Sequence, residues 1–478
     1  MQELIPPHKR TVELTFEIFT AGSAAERRLH FNGRHATIKG AGCRQKIRKP
    51  ENQWQQKEKG ESNMAWVRPF RAIRPAKELV SRVAALPYDV YNRAEAREAA
   101  QREPLSFLNI DRPETQFPEG YEMYAPEVYE KAAQLLQKQL QEGIYQKEET
   151  PCYYIYELQM GERRQTGLVA CASVDDYCSG VIKKHENTRE EKEQDRIRHV
   201  DTLSMQTGPI FLAYRQRERI QEIVRQEKQK KPEYDFVSED GICHRVWVLS
   251  EKDRLAELEK EFEQIESIYI ADGHHRAASA VKVAQRRRNE AVYFDGREEF
   301  NFFLSVLFPE QELKIFPYYR LVHDLNGNTE EEFLGRLEQA WEITQERMPV
   351  EPEKKQEFGM LLAGTWYRLR LKKELCEVLK REQQPVEVLD VSVLQKYLLE
   401  PVLGIRNPRT DSRIEFIGGI RGIAELERRV GKEQRVAFSL YPTSMEELFT
   451  VSDAGLLMPP KSTWFEPKLR SGIFLHEF

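Results

Sequence analysis

The chain predicts an α+β fold in two parts, a larger unit over residues 64–309 and a smaller α+β unit over residues 310–478. Three observations predict it. From Met64 to about Phe308, short β-rich runs alternate with helical stretches. After Phe308 the texture changes to a strand, an Asn-Gly-Asn turn and an amphipathic helix. At 478 residues the chain is also too long for one ordinary hydrophobic core.

Taken in order, residues 1–63 stand apart. They mix basic runs such as His8-Lys9-Arg10 with a polar tract, residues 51–63, that has no apolar period, so no core is expected there. Lys59-Gly60-Glu61 can be encoded by a purine-rich stretch like a bacterial ribosome-binding site just ahead of Met64. The segment is therefore expected to be a disordered tail or an extension upstream of the natural start at Met64. Arg68-Pro69-Phe70-Arg71-Ala72-Ile73-Arg74-Pro75 then gives a first strand, and Pro87 fixes a turn that projects Asp89. Residues 125–142 repeat apolar side chains at helical spacing and stop at Gly143. Residues 153–156 and 167–174 are rich enough in β-branched and aromatic side chains for strands, and the charged stretch 189–205 reads as a helix. A short strand at 268–270 leads into a helix at 277–288. In the second part, strands are expected at 313–322, 415–418 and 436–441, a turn at 326–328, and helices at 329–341 (capped by Thr329), 386–399, 420–429 and 444–448.

Bulk chemistry narrows the function. With 73 Lys+Arg against 78 Asp+Glu the net charge is −5, which gives no global attraction to nucleic acid. No apolar run is long enough to span a bilayer, and the six cysteines form neither a CxxC pair nor a zinc-ligand spacing with histidine. The expectation is a cytoplasmic protein with reduced thiols that handles soluble metabolites, with no nucleic-acid or membrane partner and with homo-oligomers allowed.

Residues 268–284 carry the chemistry. They read as strand, tight turn and helix, with Asp272-Gly273 supplying the turn and Asp272 a candidate cap. His274, His275 and Arg276 follow at the amino end of the helix, where the backbone dipole is already positive. Extra positive charge there costs a few tenths of a kcal/mol per group unless an anion compensates it. Exposed amide N–H groups with an Arg fork make a phosphate cradle. A capped helix with neutral, solvent-facing histidines would explain the same residues. A second constellation, Lys183-Lys184-His185-Glu186-Asn187-Thr188 with Asp195-Arg196 and His199, offers Glu186 as a general base or magnesium ligand, or else a solvated charge run. A third, Met458-Pro459-Pro460-Lys461-Ser462-Thr463-Trp464-Phe465, lacks the glycine spacing of a P-loop. Two prolines and two aromatics nevertheless make it a rigid loop that presents Lys461, Ser462 and Thr463, as a phosphate clamp or as a structural turn.

Taken together, these stretches resemble a bacterial family labelled as a domain of unknown function: the Arg-Pro-Phe start, Leu-Pro-Tyr-Asp-Val, Lys-His-Glu-Asn-Thr with Asp-Arg, Ile-Ala-Asp-Gly-His-His-Arg and Met-Pro-Pro-Lys-Ser-Thr-Trp-Phe, in order from Arg68 to Leu469. The Asp-Gly-His-His-Arg stretch in turn resembles the phosphate-binding motif of the ParB/sulfiredoxin-like superfamily, whose free-serine kinases carry Asp-Gly-His-Thr-Arg. His275 stands here in place of the threonine. The resemblance implies a ParB/sulfiredoxin-like nucleotide-binding core, ATP or ADP as donor, Mg2+, and a catalytic carboxylate from another segment. Genes of the family tend to lie beside serine-biosynthesis genes, which implies serine or phosphoserine as the small substrate.

The expected activity is phosphorylation of free L-serine or a similar hydroxy amino acid by ATP or ADP. Glu186, with His185 beside it, takes the hydroxyl proton, and Gly273, His274, His275 and Arg276 hold donor phosphates. Asp272 acts in catalysis and binds magnesium, Lys461, Ser462 and Thr463 close over a phosphate, and Asp89, Thr188 and Arg196 bind the substrate. Phosphoryl transfer is mostly positioning and charge stabilisation, so such a set suffices chemically. Two alternatives use the same groups: a phosphoserine phosphatase with water as acceptor, and a ParB-like nucleotide-switched module that binds DNA or a protein. No basic helix-turn-helix unit supports the latter.

Overall fold

The computed structural model describes residues 28–31, 34–37, 64–430 and 435–478. Arg28–Phe31 and Arg34–Thr37 pair antiparallel within one unit, Met1–Glu61; the rest of the expectation for residues 1–63 lies outside the described residues. Ser62–Phe478 forms the other compact unit.

That unit is built on two sheets. The larger has nine strands, in the order Tyr234–Val237, Cys243–Leu249, Tyr153–Met160, Arg163–Ser173, Phe302–Pro309, Ile210–Tyr214, Ile268–Asp272 and Ile182–Lys183, with Val67–Arg68 pairing alongside Arg163–Ser173. Two pairings are parallel, Ile210–Tyr214 with Phe302–Pro309 and Ile268–Asp272 with Ile182–Lys183; the others are antiparallel. Side chains alternate between faces along a strand, and here both faces are covered. Tyr154, Tyr156, Val169, Leu304 and Val306 pack on one face, in a core shared with the second sheet. Tyr153, Ile155, Leu168, Ala170 and Phe303 pack on the other, against Ile220, Leu258, Phe262, Ala277 and Ala284 of the helices. Gly167 lies where a Cβ would stand 2.7 Å from Val306, so the two central strands approach as closely as they do only because the side chain is missing.

The second sheet is antiparallel and six-stranded: Trp341–Glu346, Thr365–Leu371, Glu357–Leu362, Val436–Leu440, Tyr318–Val322 and Ile414–Gly418. The change of sheet falls between Pro309 and Tyr318, inside the one compact unit Ser62–Phe478. The strand expected over 313–322 is divided into Ile315–Phe316 and Tyr318–Val322, because Pro317 has no N–H for a ladder.

The end of the chain leaves the second sheet and returns to the first part. Met458 N–H donates to the His185 carbonyl at 2.8 Å, and Trp464–Phe465 pairs with Ile315–Phe316. Ser471 exchanges backbone bonds with Ala85, as Leu475 does with Ile73. This return carries the Lys461–Lys468 stretch over the carboxyl end of the Ile268–Asp272 strand.

Candidate active site

The Ile268–Asp272 strand turns into the helix His274–Glu290 through one residue, Gly273, at φ 92° and ψ 30°. The helix thus begins three residues earlier than the apolar spacing predicts, and its cap is Gly273 rather than Asp272. Asp272 instead accepts the Gly273 N–H on Oδ1 at 2.7 Å. The first intrahelical bond runs from Ala277 N–H to the Gly273 carbonyl, 2.9 Å, so the amides of His274, His275 and Arg276 precede the ladder at the positive end of a 17-residue helix. A Cβ on Gly273 would stand 3.0 Å from the Arg276 guanidinium. Gly273→Ala is therefore expected to cost about 1–3 kcal/mol from the left-handed backbone alone and to displace Arg276. Urea unfolding checks the first effect; an unchanged midpoint would contradict it.

The loop after Ile182–Lys183 packs against this turn. His185 N–H points at His274 Nε2 at 3.4 Å, and the two rings meet edge to face at 4.5 Å. A His274 whose Nε2 accepts carries its proton on Nδ1, and that nitrogen faces Glu186 Oε2 at 3.8 Å. Burial pushes His185 down to about 4 and His274 well below the ordinary imidazole range. Burial thus favours the neutral form of both rings, the alternative that the sequence left open for His274. His275 is also lowered, first by burial and then by Lys192, and its Nε2 accepts the Arg189 N–H at 2.9 Å, pinning the loop across the helix start. Half-buried Glu186 is pushed up by burial against the pull of Lys461.

Positive charge comes instead from lysines on the returning segment. Lys468 Nζ lies 2.9 Å from Asp272 Oδ2. Burial alone would raise the Asp272 carboxyl, but Lys468 and Arg276 overcome it and hold the group well below the usual carboxylate range. Lys461 is in a left-handed conformation, φ 56°, with Nζ 5.2 Å from the Tyr318 ring centroid. The buried Arg320 donates from Nη2 to the Lys461 carbonyl at 3.1 Å, fixing the loop from below. Thr463 Oγ1 lies 3.4 Å from His185 Nε2. Ser462 helps to build the loop: its hydroxyl donates to the Pro459 carbonyl at 2.7 Å and its carbonyl accepts from Thr443.

The other expected residues divide. Arg276 donates to the Pro209 carbonyl beneath the helix start. Thr188 is held by Glu193 at 2.7 Å, and Arg196 is buried, paired with Asp195 at 2.8 Å and stacked over Tyr88 at 4.1 Å. Both side chains thus have partners within the protein. Asp89 is exposed on the rim of a cavity that it shares with Tyr88 and Lys192. Asp272 does not fit a resident magnesium ion: one oxygen holds Gly273 N–H and Lys468 stands at the other. Among the described residues, no group of three His, Cys, Asp or Glu side chains is placed to hold a metal. Glu186, His274, Lys461, Thr463 and Asp272 do come together. Tyr318 and Arg320 were not singled out from sequence, and Lys468, in the Pro467-Lys468-Leu469 run that closes the third constellation, was assigned no role. Lys468 follows Pro467 directly after the aromatic-anchored loop, a proximity that would have marked it.

The model of a family described as protein of unknown function (DUF1015) matches residues 67–392. No curated protein matches. Among solved structures, SbnI with a C-terminal truncation from Staphylococcus aureus is 13% identical, covering 62% of this chain and 82% of its own, at a TM-score of 0.33. A free serine kinase variant in complex with ADP is 15% identical, covering 64% and 92%, at 0.31. A conserved hypothetical protein from Pyrococcus furiosus is 16% identical, covering 64% and 94%, at 0.29. Likenesses at these scores carry no argument about activity.

Proposed function

The chain belongs to the DUF1015 family, and from the geometry of its site we propose that it is a nucleotide-dependent phosphotransferase acting on a small hydroxylated acceptor, L-serine or a similar hydroxy amino acid. The observation that carries this reading is the convergence of one half-buried carboxylate, Glu186, with two lysines, Lys461 and Lys468, at the amino end of the His274–Glu290 helix.

Each part has a task. The open amides of His274, His275 and Arg276, with the Arg276 guanidinium, receive phosphate oxygens of ATP or ADP. Glu186, raised by burial toward neutrality, takes the proton of the acceptor hydroxyl. The acceptor oxygen attacks the terminal phosphorus, the bond to the bridging oxygen of the nucleotide breaks, and the proton stays on the Glu186 carboxyl. Lys461 and Lys468 meet the charge that spreads over the transferred group. Neutral His274, with its Nδ1–H toward Glu186, orients the base without adding a charge that would weaken it.

The test is product analysis. Protein incubated with L-serine and magnesium, with ATP or ADP in separate reactions, is expected to form O-phosphoserine, read by mass spectrometry, with one of the nucleotides. Arg276→Ala is expected to reduce the yield at least ~10-fold, the loss of a charge-assisted phosphate contact. No product from either nucleotide would overturn the reading, and phosphate released from phosphoserine without nucleotide would replace it with a phosphatase.

A further inference from the structure

Beside the helix start, a cavity is walled by four tyrosines, Tyr88, Tyr91, Tyr124 and Tyr129, with Asp89 and Lys192 on its rim. Its wall is built to hold shape. Arg112 donates from Nη1 to the Tyr88 and Tyr91 carbonyls at 2.9 and 3.0 Å, which fixes the turn that carries both rings. Tyr129 is anchored by its hydroxyl to Asp195 at 2.9 Å, and Tyr88 is backed by Arg196. Tyr91 and Tyr124 differ: both are half-buried, and neither ring stacks on another ring or cation among the described residues. Two aromatic faces are thus left for a planar ligand in a cavity whose other walls are fixed.

The position of the cavity says which planar group. Lys192, Asp195 and Arg196 of its wall lie on the helix Glu190–Leu203, and the residue that caps this helix, Arg189, donates its N–H to His275 Nε2 at 2.9 Å; Tyr88 and Arg196 also border a second pocket together with Arg276. The cavity therefore lies beside the amino end of the His274–Glu290 helix, where the amides of His274, His275 and Arg276 precede the ladder. Glu186 meets that start at His274, whereas the helix that walls the cavity meets it at His275. A ligand with phosphates on the helix amides and its reacting end toward Glu186 has its far end at the tyrosines. We propose that this cavity receives the base of a nucleotide, stacked on Tyr91 and Tyr124; the proposal rests on the phosphotransfer reading and adds where the donor is recognised. Base–aromatic stacking tolerates many bases because each has a π-face, so the cavity supplies affinity for a nucleoside without dictating which one.

The experiment uses the full chain with ATP, inorganic triphosphate and L-serine as separate probes in isothermal titration, for the natural protein, Tyr91→Leu and Tyr124→Leu. Each variant is expected to weaken ATP binding about tenfold, the scale of one lost stacking contact, with triphosphate binding unchanged. Unchanged triphosphate binding also reports that the variants are folded. ATP bound equally by all three proteins would overturn the cavity assignment and leave the phosphotransfer reading standing. Loss of L-serine affinity in place of ATP affinity would overturn it as well, giving the cavity to the acceptor. A natural protein that binds neither ATP nor triphosphate would overturn both.

Discussion

Glu186→Gln is expected to lower turnover by about 10²–10⁴-fold, the usual contribution of a positioned general base, with nucleotide affinity nearly unchanged. Glutamine is close to isosteric, so the packing against His274 and the charged loop survives while the proton acceptor is lost. The pH profile makes a second, independent demand. Only the ionised carboxylate accepts a proton, so the rate must fall as pH drops through the Glu186 pKa. Burial raises that pKa, so the acid limb of kcat/KM is expected above the ordinary glutamate midpoint of about 4.3. Lys461 is the largest influence opposing burial, and Lys461→Met is expected to move the limb further up. A glutamine variant that keeps a tenth of the natural turnover, or a limb that ignores Lys461, would remove Glu186 from the chemistry.

What could be read from sequence was local. Thr329 caps its helix through a reciprocal box with Glu332, and the Asn326-Gly327 turn has the positive φ angles its residues favour. The strand–turn–helix at Asp272-Gly273 was legible because Asp-Gly marks a turn wherever it stands. The early start at His274 was not, since a glycine cap gives little signal and the alanines from Ala277 onward dominate the spacing. The hairpin Glu357–Leu362 to Thr365–Leu371 was also missed. It turns at Ala363-Gly364, and an alanine at φ 47° carries none of the usual hairpin signature. Charge was the hardest to judge. Sequence does not show whether His185 and His274 carry charge, and it is their burial that pushes both further toward the neutral form. Lys468 depends on a partner 196 residues away, reached because the chain returns from the second sheet.

That lysine gives the other large expected effect. Lys468→Met leaves Asp272 facing Arg276 alone, with its carboxylate partly withdrawn from water. Removing one partner of a fully buried pair costs about 3–5 kcal/mol. Asp272 keeps 33% of its side-chain surface and Lys468 18%, so solvent offsets part of that cost and about 2 kcal/mol at pH 7 is expected by urea unfolding. The sign of the pH dependence follows from the pair. Asp272 has a depressed pKa when folded, so its stabilisation is present above the unfolded aspartate value of about 3.9 and is lost as pH falls below it. The natural protein should therefore keep its advantage over Lys468→Met down to about pH 4 and lose it only as pH falls further, toward the depressed folded pKa, because a protonated Asp272 has no charge left to compensate. Adding Asp272→Asn to Lys468→Met should recover stability at pH 7 for the same reason. A deficit that stays equal from pH 7 down to about pH 2, or a double variant worse than the single by the full cost of both changes, would mean that Lys468 acts through packing on Trp464 and not through Asp272.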